Sequence, residues 1–169
     1  PTLHEPPPSS TPSDENDAFV IVIPGRISAF IRDYSMAISA FETAFAPDDR
    51  VLLWMVGRPA EQHGDVVRAC ERLRNQGYCI RYEREWIPFD EYEAAVRASD
   101  VVLNPVRIHR KIRHPLRADQ VVGKTKGSGV VFDAIRHAKP LIVPSGLSLG
   151  PELGDNATTF NGRGHISEL

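Results

Sequence analysis

Cysteine, net charge and long apolar runs are all scarce in this sequence, and each scarcity removes a class of protein. Two cysteines occur in 169 residues, at positions 70 and 79, too few for a disulfide scaffold. They fall on what read as a helix and a strand, no signal peptide precedes them, and the expected setting is a reduced, cytoplasmic compartment. No apolar run approaches the roughly 20 residues of a membrane span, so any membrane contact is expected to be peripheral. The sequon at Asn156 then carries little meaning, because its glycosylation requires secretion. The 20 basic and 22 acidic side chains leave a net charge of -2, which offers no global attraction to nucleic acid, and none is expected as a partner. Neither a GxxxxGK(S/T) loop nor a GxGxxG fingerprint is present. His109 and His114 lack cysteines or carboxylates at ligand spacing, so no metal is expected. Hydrolase signatures such as a nucleophile elbow are missing too.

What remains is ordinary globular usage, 41% hydrophobic and 25% charged, in a length that suits one domain with a sizeable core. Residues 1–17 are rich in Pro, Ser and acid and read as a linker, leaving 18–169 as the domain. The sequence starts at Pro1 and stops within what reads as the first turn of a helix at 166–169, which gives the expectation of a piece truncated near its C-terminus.

Between these ends, short β-rich runs alternate with helical patterns. Residues 19–23 form a continuous apolar run closed by Pro24-Gly25, as expected of a strand buried on both faces. From Asp33 the period becomes helical, with Ala37, Ala40, Phe41, Ala44 and Phe45 on one face until Pro47. A second strand at 51–56 ends in Gly57, and Val66, Cys70 and Leu73 line a helix closed by Gly77. Residues 79–82 predict a third strand; Asp90 and Glu93 have capping-box spacing before a helix with Tyr92, Ala95 and Val96 inward. Residues 101–103 predict a fourth strand. After an irregular basic stretch, Val131, Ala134, Ile135 and Ala138 mark a helix, and 140–143 a strand. Such alternation predicts a Rossmann-like, doubly wound parallel α/β sheet with helices on both faces.

In that architecture ligands lie beyond the carboxyl ends of the strands. Gly25-Arg26, followed by Arg32, can grip a diphosphate, or can be a solvated turn with surface arginines. Lys126, Gly127, Ser128 and Gly129 precede a helix whose free amides suit an anion, with Ser128 as the N-cap. Asp133, one turn further on, can accept hydrogen bonds from ribose hydroxyls, or can be an exposed helical acid. The stretch 106–124 holds Arg107, His109, Arg110, Lys111, Arg113, His114 and Arg117; it is a lid over phosphates, a contact for anionic lipid headgroups, or a solvated loop.

The residues VIPGRI at 22–27 with Arg32, LLWMVGRP at 52–59, EWIPFDEYEAAVRASDVVLNP at 85–105 and KGSGVVFDAIRHAKPLIVP at 126–144 occur in the order found in one family. From Phe19 to about Phe160 the chain resembles the C-terminal, donor-binding domain of GT-B fold glycosyltransferases, closest to the family 4 retaining enzymes (glycosyl transferases group 1). The resemblance implies a nucleoside-diphosphate sugar as donor, on UDP or GDP, and an N-terminal domain that holds the acceptor. It implies transfer with retention and no required metal or other cofactor, peripheral contact with a membrane or lipid-linked acceptor, and negligible activity of this piece alone. Gly25, Arg26, Arg32, Gly57, Ile87, Pro88, Lys126, Gly127, Ser128, Gly129 and Asp133 are the implied donor contacts. Arg26, Arg32 and Lys126 would stabilise the leaving diphosphate. Of the glutamate pair usual in the family, Asp133 matches the second, while the first falls on Thr125, or on Lys126 if one residue is deleted; the catalytic sugar contact is therefore unassigned. Two other readings use the same residues: a stand-alone nucleotide- or phosphate-binding module, and an epimerase-type GT-B enzyme.

Overall fold

A computed structural model describes residues 17–57, 64–109, 111–113, 119–123, 127–150, 153 and 156–162. The chain runs β1 (Phe19–Pro24), α1 (Tyr34–Ala44), β2 (Val51–Val56), α2 (Gly64–Asn75), β3 (Ile80–Tyr82), α3 (Phe89–Ala98), β4 (Val101–Leu103), β5 (Lys111–Ile112), β6 (Gln120–Val121), α4 (Gly129–Arg136), β7 (Leu141–Pro144) and β8 (Ala157–Phe160). Six strands form one parallel sheet in the order β3-β2-β1-β4-β7-β8, and β5 and β6 form a separate antiparallel pair. The expected linker and the residues around 166–169 lie outside the described residues, apart from Asp17.

Why these runs become central strands follows from the pleat. Successive side chains of β1 point to opposite faces, so a strand covered on both sides needs apolar residues at every position. Ile21 and Ile23 join Leu53, Met55, Val101 and Leu103 under α1 and α2. Val22 joins Val56, Val102, Leu141 and Val143 under Ala95 and Val96 of α3 and Val130 and Ala134 of α4. The helices are therefore on both faces of a doubly wound parallel sheet, as the alternation predicts. Asp33 caps α1 by accepting the Met36 N–H at 3.0 Å. Gly77, at φ +94°, ends α2 with the Tyr78 N–H bonded back to the Leu73 carbonyl.

Three local expectations differ from the structure. The helix α3 begins at Phe89 after Pro88, with no side-chain cap; Asp90 lies inside it, and Glu93 pairs with Arg136 at 3.1 Å instead of reaching back to a cap. Proline suits a helix start because the N–H it lacks has no partner there. The inward stripe of α4 is rotated: Val130 and Ala134 are buried, while Phe132 and Ile135 are 69% and 49% exposed. Among its described residues the basic stretch is not an irregular loop, since β5 pairs with β6, and Ile108 fills the space beside Gly123 and Gly146. In addition, β8, for which the sequence pattern gave no expectation, extends the sheet beyond β7 with only Phe160 fully inward, an edge pattern too short to stand out.

A cleft of about 330 Å³ opens on the α1 face between Phe41, Phe45, Leu103 and Ile142. Its lining is almost wholly apolar, so it is not suited to a diphosphate.

Ala138 terminates α4 with φ +50°, a left-handed conformation that costs an L-residue about 1–2 kcal/mol. It is exposed and contributes no core packing. Ala138→Gly should therefore raise unfolding stability by about 0.5–1 kcal/mol, after the extra entropy of the unfolded glycine is set against it, as read from urea denaturation.

Candidate functional site

The sheet order reverses between β1 and β4: β1 leads by way of α1 to β2 on one side, β4 leads to β7 on the other. The crevice beyond their carboxyl ends is where open α/β sheets bind ligands. Both loops that wall it are tied by backbone. The Asp33 N–H donates to the Pro105 carbonyl at 2.7 Å and the Arg107 N–H to the Ile31 carbonyl at 2.8 Å, on either side of an antiparallel bridge between Arg32 and Val106.

This zipper turns Arg32 inward, where only 9% of the residue remains exposed. Its Nη1 donates to the Arg26 carbonyl and lies 3.5 Å from the Tyr34 hydroxyl. Its Nε has no hydrogen-bond partner among the described residues. The guanidinium folds over Gly25, where a Cβ would meet Nη2 at 2.7 Å and where φ is +94°, so two independent constraints call for glycine. The Arg26 side chain projects from the same turn into solvent. Tyr34 is completely buried below; burial pushes its hydroxyl pKa up, and the Arg32 charge opposes that rise.

Asn104, at the end of β4, is also fully buried. Its Oδ1 lies 3.4 Å from the Ser128 hydroxyl that donates to it, while its Nδ2 is unpartnered among the described residues. Ser128 is the N-cap of α4 as expected, yet its side chain makes no capping bond to its own helix. Around Gly127 and Gly129 the space is open, with nothing near where a Cβ would stand. The first N–H groups of α4 are thus approachable and carry the positive end of the helix dipole. Asn104 and the N-terminus of α4 thus meet at the switch point, and Arg32 lies on the loop after β1 that walls it. Nothing in the sequence pattern singled out Asn104, because Asn-Pro after a strand reads as ordinary turn chemistry.

The other expected contacts are placed as follows. Gly57 is buried against the Gly25 carbonyl at φ +143°, so it seats the β1 loop from below. Ile87 and Pro88 lead into α3, with Ile87 half-buried against the second core cluster and Trp86 beside it 66% exposed. Asp133 is half-buried and accepts a hydrogen bond from Tyr92 at 2.6 Å. Lys126 lies outside the described residues, as do Arg110, His114 and Arg117. Of the basic stretch, Lys111 and Arg113 are exposed and Arg107 pairs with Asp33 at 3.0 Å. No described cluster of His, Cys, Asp and Glu is arranged to hold a metal ion. Among the described residues, no helix is long and apolar enough to cross a membrane.

No protein-family model and no curated protein matches the sequence. Solved structures do share its fold. The N-terminal domain of trehalose-6-phosphate phosphatase from Candida albicans superposes with a TM-score of 0.62 at 17% identity, over 91% of this chain and 34% of that one. The C-terminal domain of LpcC, a glycosyl transferase group 1 family protein from Francisella tularensis, gives 0.60 at 16% identity over 89% and 72%. WaaG, a glycosyltransferase involved in lipopolysaccharide biosynthesis, gives 0.55 at 16% identity over 89% and 36%. The chain therefore has the Rossmann-like fold of a GT-B glycosyltransferase C-terminal domain. It spans about a third of the length of the solved phosphatase N-terminal domain and of WaaG.

Gly57→Ala tests the support beneath this crevice. The new Cβ would overlap the Gly25 carbonyl and demand a backbone conformation that L-residues rarely adopt. A loss of about 2 kcal/mol or more in urea unfolding is expected, against a change below about 0.5 kcal/mol for an ordinary surface substitution.

Proposed function

We propose that the chain is the donor-binding half of a two-domain glycosyltransferase, taking a nucleoside-diphosphate sugar on UDP or GDP and transferring the sugar to an acceptor held by an N-terminal domain. The observation that carries this reading is the pair of buried, unpartnered donors, Arg32 Nε and Asn104 Nδ2, beside the open N-terminus of α4. Both atoms are shut off from solvent, so they would act on an anionic ligand through the Arg32 charge and the Asn104 amide dipole, beside the free amides of α4. The shared fold with LpcC and WaaG supports the class.

Chemically, transfer breaks the bond between the anomeric carbon and the diphosphate, and the electron pair stays on the departing phosphate. Donors already aimed at that position stabilise the growing charge without reorganising, so Arg26, Arg32, Lys126 and the amides at Ser128 and Gly129 would act as an electrostatic clamp in place of a metal. Gly127 leaves room for the phosphates, Gly25 and Gly57 set the turn, and Ile87 and Pro88 offer backbone to the base. Asp133 would accept from the ribose. With the acceptor on another domain, this chain alone would bind donor without turnover. Peripheral contact with a membrane or a lipid-linked acceptor belongs to the same reading, with Lys111 and Arg113 as its exposed cations. A second reading, a nucleotide- or phosphate-binding module without transfer, is favoured by the equally good superposition on a phosphatase domain.

Calorimetric titration with UDP, GDP, ADP and their sugar conjugates separates these. The donor-domain reading expects one base's diphosphate to bind, its sugar conjugate to bind differently from the bare diphosphate, and Arg26→Ala to weaken both by roughly tenfold or more. Binding indifferent to the sugar would favour the module, and absence of nucleotide binding by the folded chain would contradict the donor-domain reading.

A further inference from the structure

We propose that Tyr92 is a positioning residue for ribose recognition, holding the Asp133 carboxylate in the one orientation that presents its second oxygen to a ribose diol. The inference rests on the donor-site reading above. It starts from a hydrogen bond that crosses between two helices: the Tyr92 hydroxyl on α3 donates to Asp133 Oδ2 on α4 at 2.6 Å. A carboxylate on an exposed helical face samples several rotamers, each hydrated, and loses that freedom only when something holds it. Here one oxygen is occupied, and the lone pairs of Oδ1 stay available for hydroxyl donors.

The donor is itself fixed. The Phe89 ring stacks on the Tyr92 ring at 6.4 Å with 19° between planes, and Arg136 of α4 lies over Phe89 at 5.9 Å while pairing with Glu93. The Tyr92 N–H bonds to the Pro88 carbonyl at 3.0 Å, so the segment proposed to meet the base and the side chain that orients Asp133 belong to one helical turn. Burial, then the bond to Asp133, pushes the Tyr92 hydroxyl pKa well up, and the Arg32 charge acts on the same hydroxyl in the opposite direction. The phenol accordingly remains a proton donor throughout the neutral range. The Tyr92–Asp133 bond thereby ties α3 to α4 at the position proposed for the ribose.

A structural bond alone would not distinguish ribose from deoxyribose, and that contrast supplies the test. The full chain, Tyr92→Phe and Asp133→Asn are titrated with the four common ribonucleoside diphosphates and their 2′-deoxy counterparts. The unaltered chain should prefer the ribose form of its nucleotide by roughly tenfold or more, and Asp133→Asn should abolish the preference. Tyr92→Phe should lower the preference to about threefold or less while leaving affinity for the deoxy form within about twofold. If Tyr92→Phe keeps the full preference while Asp133→Asn loses it, the positioning role is overturned and the donor reading stands. An equal fall in both affinities assigns Tyr92 to packing and likewise overturns it. If Asp133→Asn keeps the preference, the ribose role of Asp133 falls and this inference with it. Failure of the unaltered chain to bind any of the nucleotides overturns the donor reading itself.

Discussion

The bonds between the loops after β1 and β4 are made by backbone, and the rest of the crevice depends on them. Main-chain N–H and C=O groups must find partners when removed from water, so the Asp33–Pro105 and Ile31–Arg107 pairings lock these loops together. Locked, they fold the Arg32 guanidinium back over the turn, where glycine at position 25 gives it room and takes the φ of +94° without strain. Gly25 in turn rests against Gly57 across the β1–β2 pair. An arginine that would otherwise extend into water becomes a nearly buried cation folded against the turn after β1. The tie costs a donor, because Arg32 Nε has no described partner in that position. Sites that bind commonly carry such local costs, set against stability gained elsewhere. Here the opposing gain is the two-faced core on which both loops are mounted.

Much of the fold was legible because burial on both faces leaves a strong trace. β1 and β2 are runs with no polar interruption, and α1 and α2 bury the positions that a 3.6 period selects. The trace fades where one face meets water. β8 reads Ala-Thr-Thr-Phe, with Thr158 and Thr159 exposed, and resembles a loop. The β5–β6 pair has two residues per strand and draws its order from Ile108 seated on Gly123 and Gly146, a contact distant in sequence. In α4 the window is eight residues, too short for the period to decide between Val130 and Val131 as the inward valine.

The site was legible to the extent that it lies at strand ends. Gly25, Arg26, Arg32 and Ser128 sit at the crevice because strand termini and a helix start put them there, and those were visible as patterns. Asn104 and Tyr92 were not. A single Asn before Pro has the composition of any turn, and a Tyr on an apolar stripe counts as core; only the tertiary arrangement reveals an amide with an empty donor and a hydroxyl directed at a carboxylate. Conversely, the apolar cleft under α1 is the more conspicuous concavity but lacks the donors that phosphate chemistry requires. Polar groups, not volume, locate the candidate site.

Amide chemical shifts followed by NMR while a nucleoside diphosphate is titrated into the chain show whether the crevice beyond β1 and β4 receives it. Saturating shifts are expected to concentrate at Gly25, Arg26, Asn104 and Ser128–Val130, with the Asn104 side-chain amide among them, while the residues of the α1 cleft remain unchanged. Saturating shifts confined to Phe41, Phe45, Leu103 and Ile142, or a folded chain whose crevice amides do not respond to any nucleotide, would contradict the donor-domain reading.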